Sequence, residues 1–269
     1  MSLQHKLWQA DNISNDEAVN SWNEAAQEFT SFFAEDEEFY HKYLINPSLL
    51  ELIGRIEGKT ILDLACGEGH LARNLAKLTK GNIKVFGVDA SANMVNIAAE
   101  KSQAFSRCLT FRQADAGDLI EFQTDFFDIA ICNMALMDIK DYVQVIGEVA
   151  RTLKAKGDFI FSILHPCFMT PQSEWIKDKN DNVIGWRVRD YYARLVWKWT
   201  IKSKMKSETY CFHRTLEDYF RALSKSGFVV TDIREPVPGQ ELIEMKPRLV
   251  RNLQRADFLI VKSVLVGQF

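Results

Sequence analysis

Between residues 59 and 164, short runs of apolar and β-branched residues alternate with stretches whose apolar positions recur at helical spacing. This alternation predicts a parallel sheet with helices on both faces. A strand covered on both sides is apolar throughout, whereas a covering helix is apolar along one stripe. Strands are expected at 60–64, 84–88, 109–112, 127–132 and 158–164. A crossover helix over 139–153 carries Ile139, Tyr142, Val143, Ile146, Val149, Ala150 and Leu153 on one face, and Gly157 turns the chain into the next strand.

The pattern breaks after residue 164 and resumes at Thr215, which caps a helix bearing Leu216, Tyr219, Phe220 and Leu223 that Gly227 ends. Inside the break, Tyr191, Ala193, Leu195, Trp197, Trp199 and Ile201 alternate with polar or outward positions as far as Lys202, which predicts one long half-buried strand. Asn180-Asp181-Asn182 reads as the turn before it. Strands at 228–233 and 258–266 would complete the sheet. The first 50 residues show no strand alternation, only an aromatic stripe of Trp22, Phe29, Phe32, Phe33, Phe39, Tyr40 and Tyr43 on expected helices. The chain therefore divides into a helical lid at 1–50, a cofactor-binding α/β core at 51–165, an inserted β-rich substrate cover at 166–213, and completion of the core at 214–269.

Composition narrows the class. Hydrophobic residues make up 47% and charged residues 26%, enough for a sizeable core in a globular protein. No apolar run reaches the roughly 18 residues that span a bilayer, and the N-terminus lacks a secretory signal, so a cytoplasmic protein without membrane contact is expected. Five scattered cysteines without CxxC spacing predict reduced thiols and no metal. A net charge of -3 leaves no footprint for nucleic acid. Two basic stretches, 187–206 and 246–255, read as solvated faces, with an acidic substrate or partner as the alternative.

The chemistry concentrates where the first strand runs into Asp63-Leu64-Ala65-Cys66-Gly67-Glu68-Gly69-His70. Glycines after the first strand let the backbone approach a ligand, and such loops sit where open α/β sheets bind nucleotides. Gly67 and Gly69 alone fit a dinucleotide equally well, so a nicotinamide-dependent oxidoreductase stays open on the loop alone. Asp63 argues against it: a carboxylate there repels a pyrophosphate but suits a cationic ligand. Asp89 follows Gly69 by 20 residues, the spacing at which an acidic side chain receives ribose hydroxyls. Asp115 could accept an adenine amino group or be a loop carboxylate.

Asp63-Leu64-Ala65-Cys66-Gly67-Glu68-Gly69, Val88-Asp89-Ala90-Ser91-x-x-Met94, Ala114-Asp115-Ala116 and Phe127-Asp128-Ile129-Ala130-Ile131-Cys132-Asn133-Met134 resemble, in order, motifs of class I S-adenosylmethionine-dependent methyltransferases. The resemblance implies a doubly wound, seven-stranded, mostly parallel sheet with an antiparallel last strand, and methyl transfer from S-adenosyl-L-methionine to a small organic molecule. By the same resemblance, Asp63 with the backbone of Ala65, Cys66, Gly67 and Gly69 would hold the methionine end, and Asp89 the ribose. Ala90 and Met94 would cover the adenosine faces, Asp115 and Ala116 would meet the adenine, and Asn133 and Met134 would line the sulfonium. Ala65 and His70 depart from the glycines many members carry, which bears on the subfamily. A non-catalytic subunit that binds the same cofactor is the competing reading outside the enzymes.

Methyl transfer needs alignment more than a dedicated catalyst, but Asp138 and His165 are the candidates expected to face the methyl. Asp138 could instead cap the helix near Ile139, and His165 could bond backbone at its strand end. Trp175, Trp186, Trp197 and Trp199 could line an apolar or aromatic acceptor, or form a subunit contact in a homodimer. Trp22, Phe29, Tyr40 and Tyr43 would close the other side.

Overall fold

The computed structural model describes residues 7–9, 12–36, 39–199 and 206–267, without the side chains of residues 7, 8, 32–36 and 199. The chain opens with strand β1 (Leu7–Gln9) and helix α1 (Asn15–Asp36); a π-helical turn (His41–Ile45) then runs directly into α2 (Asn46–Ile53). The α/β core follows as β2 (Thr60–Leu64), α3 (His70–Leu78), β3 (Lys84–Asp89), α4 (Ala92–Lys101), β4 (Leu109–Gln113), β5 (Phe127–Asn133), α5 (Tyr142–Thr152) and β6 (Leu153–Leu164). Four short strands come next: β7 (Glu174–Lys177), β8 (Val183–Arg187), β9 (Leu195–Trp199) and β10 (Thr209–Phe212). The chain closes with α6 (Leu216–Lys225), β11 (Phe228–Arg234), α7 (Gln240–Met245), a 3-10 segment (Pro247–Gln254) and β12 (Phe258–Leu265).

Seven strands form one sheet in the order β11-β12-β6-β5-β2-β3-β4, with β12 antiparallel to both neighbours. The expected seven-stranded fold with its antiparallel last strand is therefore present. Strand order reverses between β2 and β5, so the loops after those two strands diverge to opposite faces and leave a crevice. Because β12 runs backwards, its beginning lies at the same edge as the ends of the parallel strands. The core follows from covering both faces: Ile61, Leu62, Leu64, Phe127, Ile131, Phe159 and Phe161 are fully buried, each worth about 1.5–3 kcal/mol in burial. At Thr215 a reciprocal bond with Asp218 caps α6 as the sequence predicts.

Several expected boundaries move. The long strand expected over 191–202 is confined to β9, because Asp190 takes a left-handed φ of 55° and residues 191–192 turn; residues 200–205 lie outside the described chain. β6 begins at Leu153 rather than 158, Leu153 pairing with Phe127 ahead of an irregularity in the ladder. The N-terminal segment does contain a strand: β1 pairs with β9, and β9 with β10, in a separate three-stranded sheet. Among the described residues no helix is long and apolar enough to cross a membrane.

Candidate functional site

A cavity of about 370 Å³ opens at the edge where the parallel strands end. Its first wall is the β2–α3 loop, whose tight turn uses left-handed residues at Ala65 (φ 49°), Gly67 (φ 52°) and Gly69 (φ 79°). Gly67 meets no crowding, so its backbone angle alone calls for glycine. At Gly69 space matters too: a Cβ would sit 2.9 Å from the Phe111 ring and 3.1 Å from Ala98 Cβ. Gly69 therefore shapes the loop from behind, while Ala65, Cys66 and Gly67 line the cavity. The turn is tied to β3: Cys66 N–H donates to Val88 O at 3.0 Å, and Gly67 N–H to Asp89 Oδ2 at 2.9 Å. Glu68, which sequence reasoning passed over, is buried beneath the loop and bonded to Arg73 at 2.7 Å and Lys101 at 2.8 Å.

Two acidic groups in this wall have no cation beside them. Asp63 is 2% exposed, and its Oδ2 has no hydrogen-bond partner. Burial, and then the nearby Asp89, push its carboxyl up to about 7. Burial likewise raises Asp89 to about 6, against the opposing N–H groups of Ser91 and Gly67. Cys66, half-buried beside both carboxylates, is held well above the usual thiol range by desolvation and then by their charge, and stays a neutral thiol. An anion would be repelled here, and a ligand ammonium or sulfonium would relieve the cost.

The adjoining wall comes from α4 and the strand ends. Ser91 caps α4 by accepting from Met94 N–H at 3.2 Å, and Ala90 and Met94 line the cavity. Asp115 lines it beside Ala114 and Ala116, with one oxygen accepting from Gly117 N–H at 2.8 Å and the other from Asn15 Nδ2 at 2.8 Å. Asn133 and Met134 follow β5; Met134 is left-handed (φ 54°) and its N–H reaches Ser162, while the Ser162 hydroxyl donates to Asn133 Oδ1 at 2.6 Å. Helix α1 lies across this end, its Asn23 accepting from Ser91 Oγ and Asn93 N–H. Trp22, Phe29 and Tyr40 face the cavity as expected, whereas Tyr43 packs on Phe39 instead. Phe32 and Phe33 have side chains outside the described residues.

The far side separates the two catalytic candidates. Asp138 lines the cavity, is 7% exposed and has an unpartnered Oδ1; burial raises its carboxyl well above the usual range despite a bond with the Cys211 thiol and the charge of Arg214. It does not cap α5, which Asp141 precedes. His165 points elsewhere. Along β6 side chains alternate, so Leu164 faces the cavity and His165 faces a separate hollow with Phe168, Phe220 and Glu235. Cys167 N–H donates to its Nδ1 at 3.2 Å, leaving the ring proton on Nε2, which meets Glu235 at 2.8 Å. The expectation that His165 faces the methyl is thus corrected.

The tryptophan-rich insertion also differs from its expected role, since neither Trp175, Trp186 nor Trp197 lines the cavity, and the Trp199 side chain is outside the described residues. Trp197 is buried in the three-stranded sheet, and Trp175 packs edge-on to Trp186 with ring centroids 4.8 Å apart. Instead the wall is closed by residues sequence reasoning left among solvated charges: Arg251, Asn252, Arg255 and Asp257, just before β12, with Met169 and Phe258. A charge pair separated by one residue immediately before an apolar strand is the signal that could have found them. Among the described residues no group of three His, Cys, Asp or Glu side chains is placed to hold a metal ion.

Comparison with known proteins bears on this geometry. The methyltransferase-domain family matches residues 56–252. A demethylmenaquinone methyltransferase of Lactococcus lactis is 29% identical over 194 residues, covering 69% of this chain and 72% of its own length. A ubiquinone biosynthesis O-methyltransferase of Hydrogenovibrio crunogenus is 31% identical over 150 residues, 55% of this chain and 60% of that protein. Among solved structures, an S-adenosylmethionine-dependent methyltransferase of Mesorhizobium loti superposes with a TM-score of 0.68 at 27% identity, over 81% of this chain and 96% of its own.

Proposed function

The chain belongs to the class I S-adenosylmethionine-dependent methyltransferases, and on that premise we propose that its methyl acceptor is a small organic molecule held between α1 and the segment before β12. One observation carries this reading: two buried carboxylates, Asp63 and Asp138, each with an unpartnered oxygen, share one cavity. The first awaits a cation, and the second a proton donor.

When bound, S-adenosylmethionine supplies a methyl carbon already activated by its sulfonium. The protein's part is then to orient both reactants, exclude water and remove a proton. Asp63, with the backbone of Ala65, Cys66 and Gly67, holds the methionine end, and Gly69 keeps that loop in shape. The two oxygens of Asp89, already fixed by Gly67 and Ser91, keep lone pairs for the ribose hydroxyls. Ala90 and Met94 cover the adenosine, Asp115 and Ala116 border the adenine, and Asn133 and Met134 border the sulfonium. Asp138 receives the acceptor's proton; its raised affinity for protons makes it a stronger base than an exposed carboxylate. Trp22, Phe29 and Tyr40 supply the apolar cover that keeps water out.

Calorimetry with S-adenosylhomocysteine tests the donor half. Asp89→Ala should weaken binding about ten- to hundredfold through loss of charge-assisted hydrogen bonds, and undiminished affinity would remove the ribose assignment. Formation of S-adenosylhomocysteine from S-adenosylmethionine across a panel of small acceptors tests the acceptor half. A protein that binds the donor yet turns over none of them would support the non-catalytic reading.

A further inference from the structure

The charge in the cavity is polarised. Asp63 near the end of β2, Asp89 at the end of β3, and Asp115 and Asp138 after β4 and β5 line its walls, whereas Arg251 and Arg255 line the wall before β12. In the sheet, β12 stands three strand positions from β2, about 14 Å at ordinary strand spacing. The cation-seeking and anion-seeking ends are thus far enough apart to serve different molecules.

Arg255 is the informative group. Its side chain is only 9% exposed, yet Nε and Nη1 have no hydrogen-bond partner. Asp257 does not meet that need. Its Oδ1 lies 2.9 Å from Nη2 as an ion pair but, like Nε and Nη1, has no hydrogen-bond partner, and its other oxygen accepts from Asn252 Nδ2. Trp186 and Trp175 cover the guanidinium, with ring centroids 3.6 and 4.7 Å from its carbon, but indole faces do not accept in-plane N–H groups. The tryptophan pair of β7 and β8 therefore holds the guanidinium in place without satisfying it. Arg251, stacked 5.3 Å from Trp175, adds a second cation to the same wall. Buried guanidinium donors without acceptors are costly and call for an anionic oxygen ligand. With Asp257 cancelling one of the two charges, the wall suits a single negative charge better than a dianion.

We propose that the methyl acceptor is an organic acid whose carboxylate is anchored by Arg255, a specificity-determining residue, with its apolar body against Leu164, Met169 and Phe258. This rests on the methyltransferase reading above and adds the acceptor's class to it. The carboxylate marks the anchored end; the reacting atom lies toward Asp138 and Met134.

The test titrates protein saturated with S-adenosylhomocysteine using phenylacetate, 3-phenylpropanoate and indole-3-acetate, their matched primary amides, and phenyl phosphate. At least one acid should bind saturably and about tenfold or more tighter than its amide, as a charge-assisted contact requires. Arg255→Met should erase that preference while S-adenosylhomocysteine affinity stays near wild type, with a lowered melting temperature because Asp257 loses its ion-pair partner. Arg255→Lys, which keeps the charge but not the planar donors, should fall between and serves if the methionine variant fails to fold. The proposal is overturned if no acid binds, if amides match acids, if phenyl phosphate binds more tightly than every acid, or if the preference survives in the variants. Failure of S-adenosylhomocysteine itself to bind the wild-type protein would remove the donor reading first, and is seen before any acid is added.

Discussion

Asp63→Asn should make the empty protein more stable while disabling it. The rise of the Asp63 carboxyl from 3.8 to about 7 corresponds to about 4 kcal/mol of ionisation cost in the folded, ligand-free state. The sign follows from proton binding. Between those two values the folded state holds a proton that the unfolded state has released, so stability falls as pH rises through this window. Below pH 4 both states are protonated and the cost disappears. Sharing of the effect with Asp89, and the imperfect fit of an asparagine amide, reduce the expected gain to about 2–4 kcal/mol at pH 8. Urea unfolding of both proteins at pH 4.5 and pH 8, without ligand, measures it. The gain should be clear at pH 8 and small at pH 4.5. In parallel, the stabilisation that S-adenosylhomocysteine confers on the wild type should grow from pH 5 to pH 8, because its ammonium binds the ionised carboxylates, and should largely vanish in the variant. A variant no more stable than wild type at pH 8, or equally stabilised at both pH values, would refute the reasoning.

Asp138→Asn should lower turnover about 10²–10⁴-fold and flatten the pH profile, since the wild-type rate should rise with pH as this carboxyl ionises above the ordinary carboxylate range; an unchanged ascending limb would assign the proton elsewhere. For His165→Gln, turnover and its pH dependence should stay within about twofold, because a side chain outside the cavity is at most a packing residue. Gly69→Ala should cost about 2–3 kcal/mol in chemical denaturation, combining a left-handed backbone with a contact against Phe111.

The sheet was legible because its central strands β2 and β5 are mostly apolar and buried, and each covering helix has one apolar stripe; residues 60–64 and 127–132 needed only local information. That Asp63, Asp89 and Asp115 line the cavity was legible for a related reason, since they sit at or just beyond strand ends whose positions periodicity gives. What local pattern could not supply was pairing across long separations and side-chain parity at strand ends. β1 is a strand only because residues 195–197 lie beside it. His165 and Leu164 differ by one residue and therefore by one face, and no local cue decides which looks inward. Arg255 sits in a basic run that reads as solvated, and only the distant Trp175 and Trp186 bury it.

The reversed direction of β12 has a consequence for how such a protein can be altered. The acidic wall of the cavity comes from strands and loops encoded between positions 63 and 138, whereas the wall opposite is delivered by the connection between β11 and β12, some 100 residues later in the gene. Recombination or grafting of the 235–257 connection could therefore exchange one acceptor for another while leaving the donor loops intact. If the proposed roles hold, the chain's two chemical duties are inherited on separate cassettes.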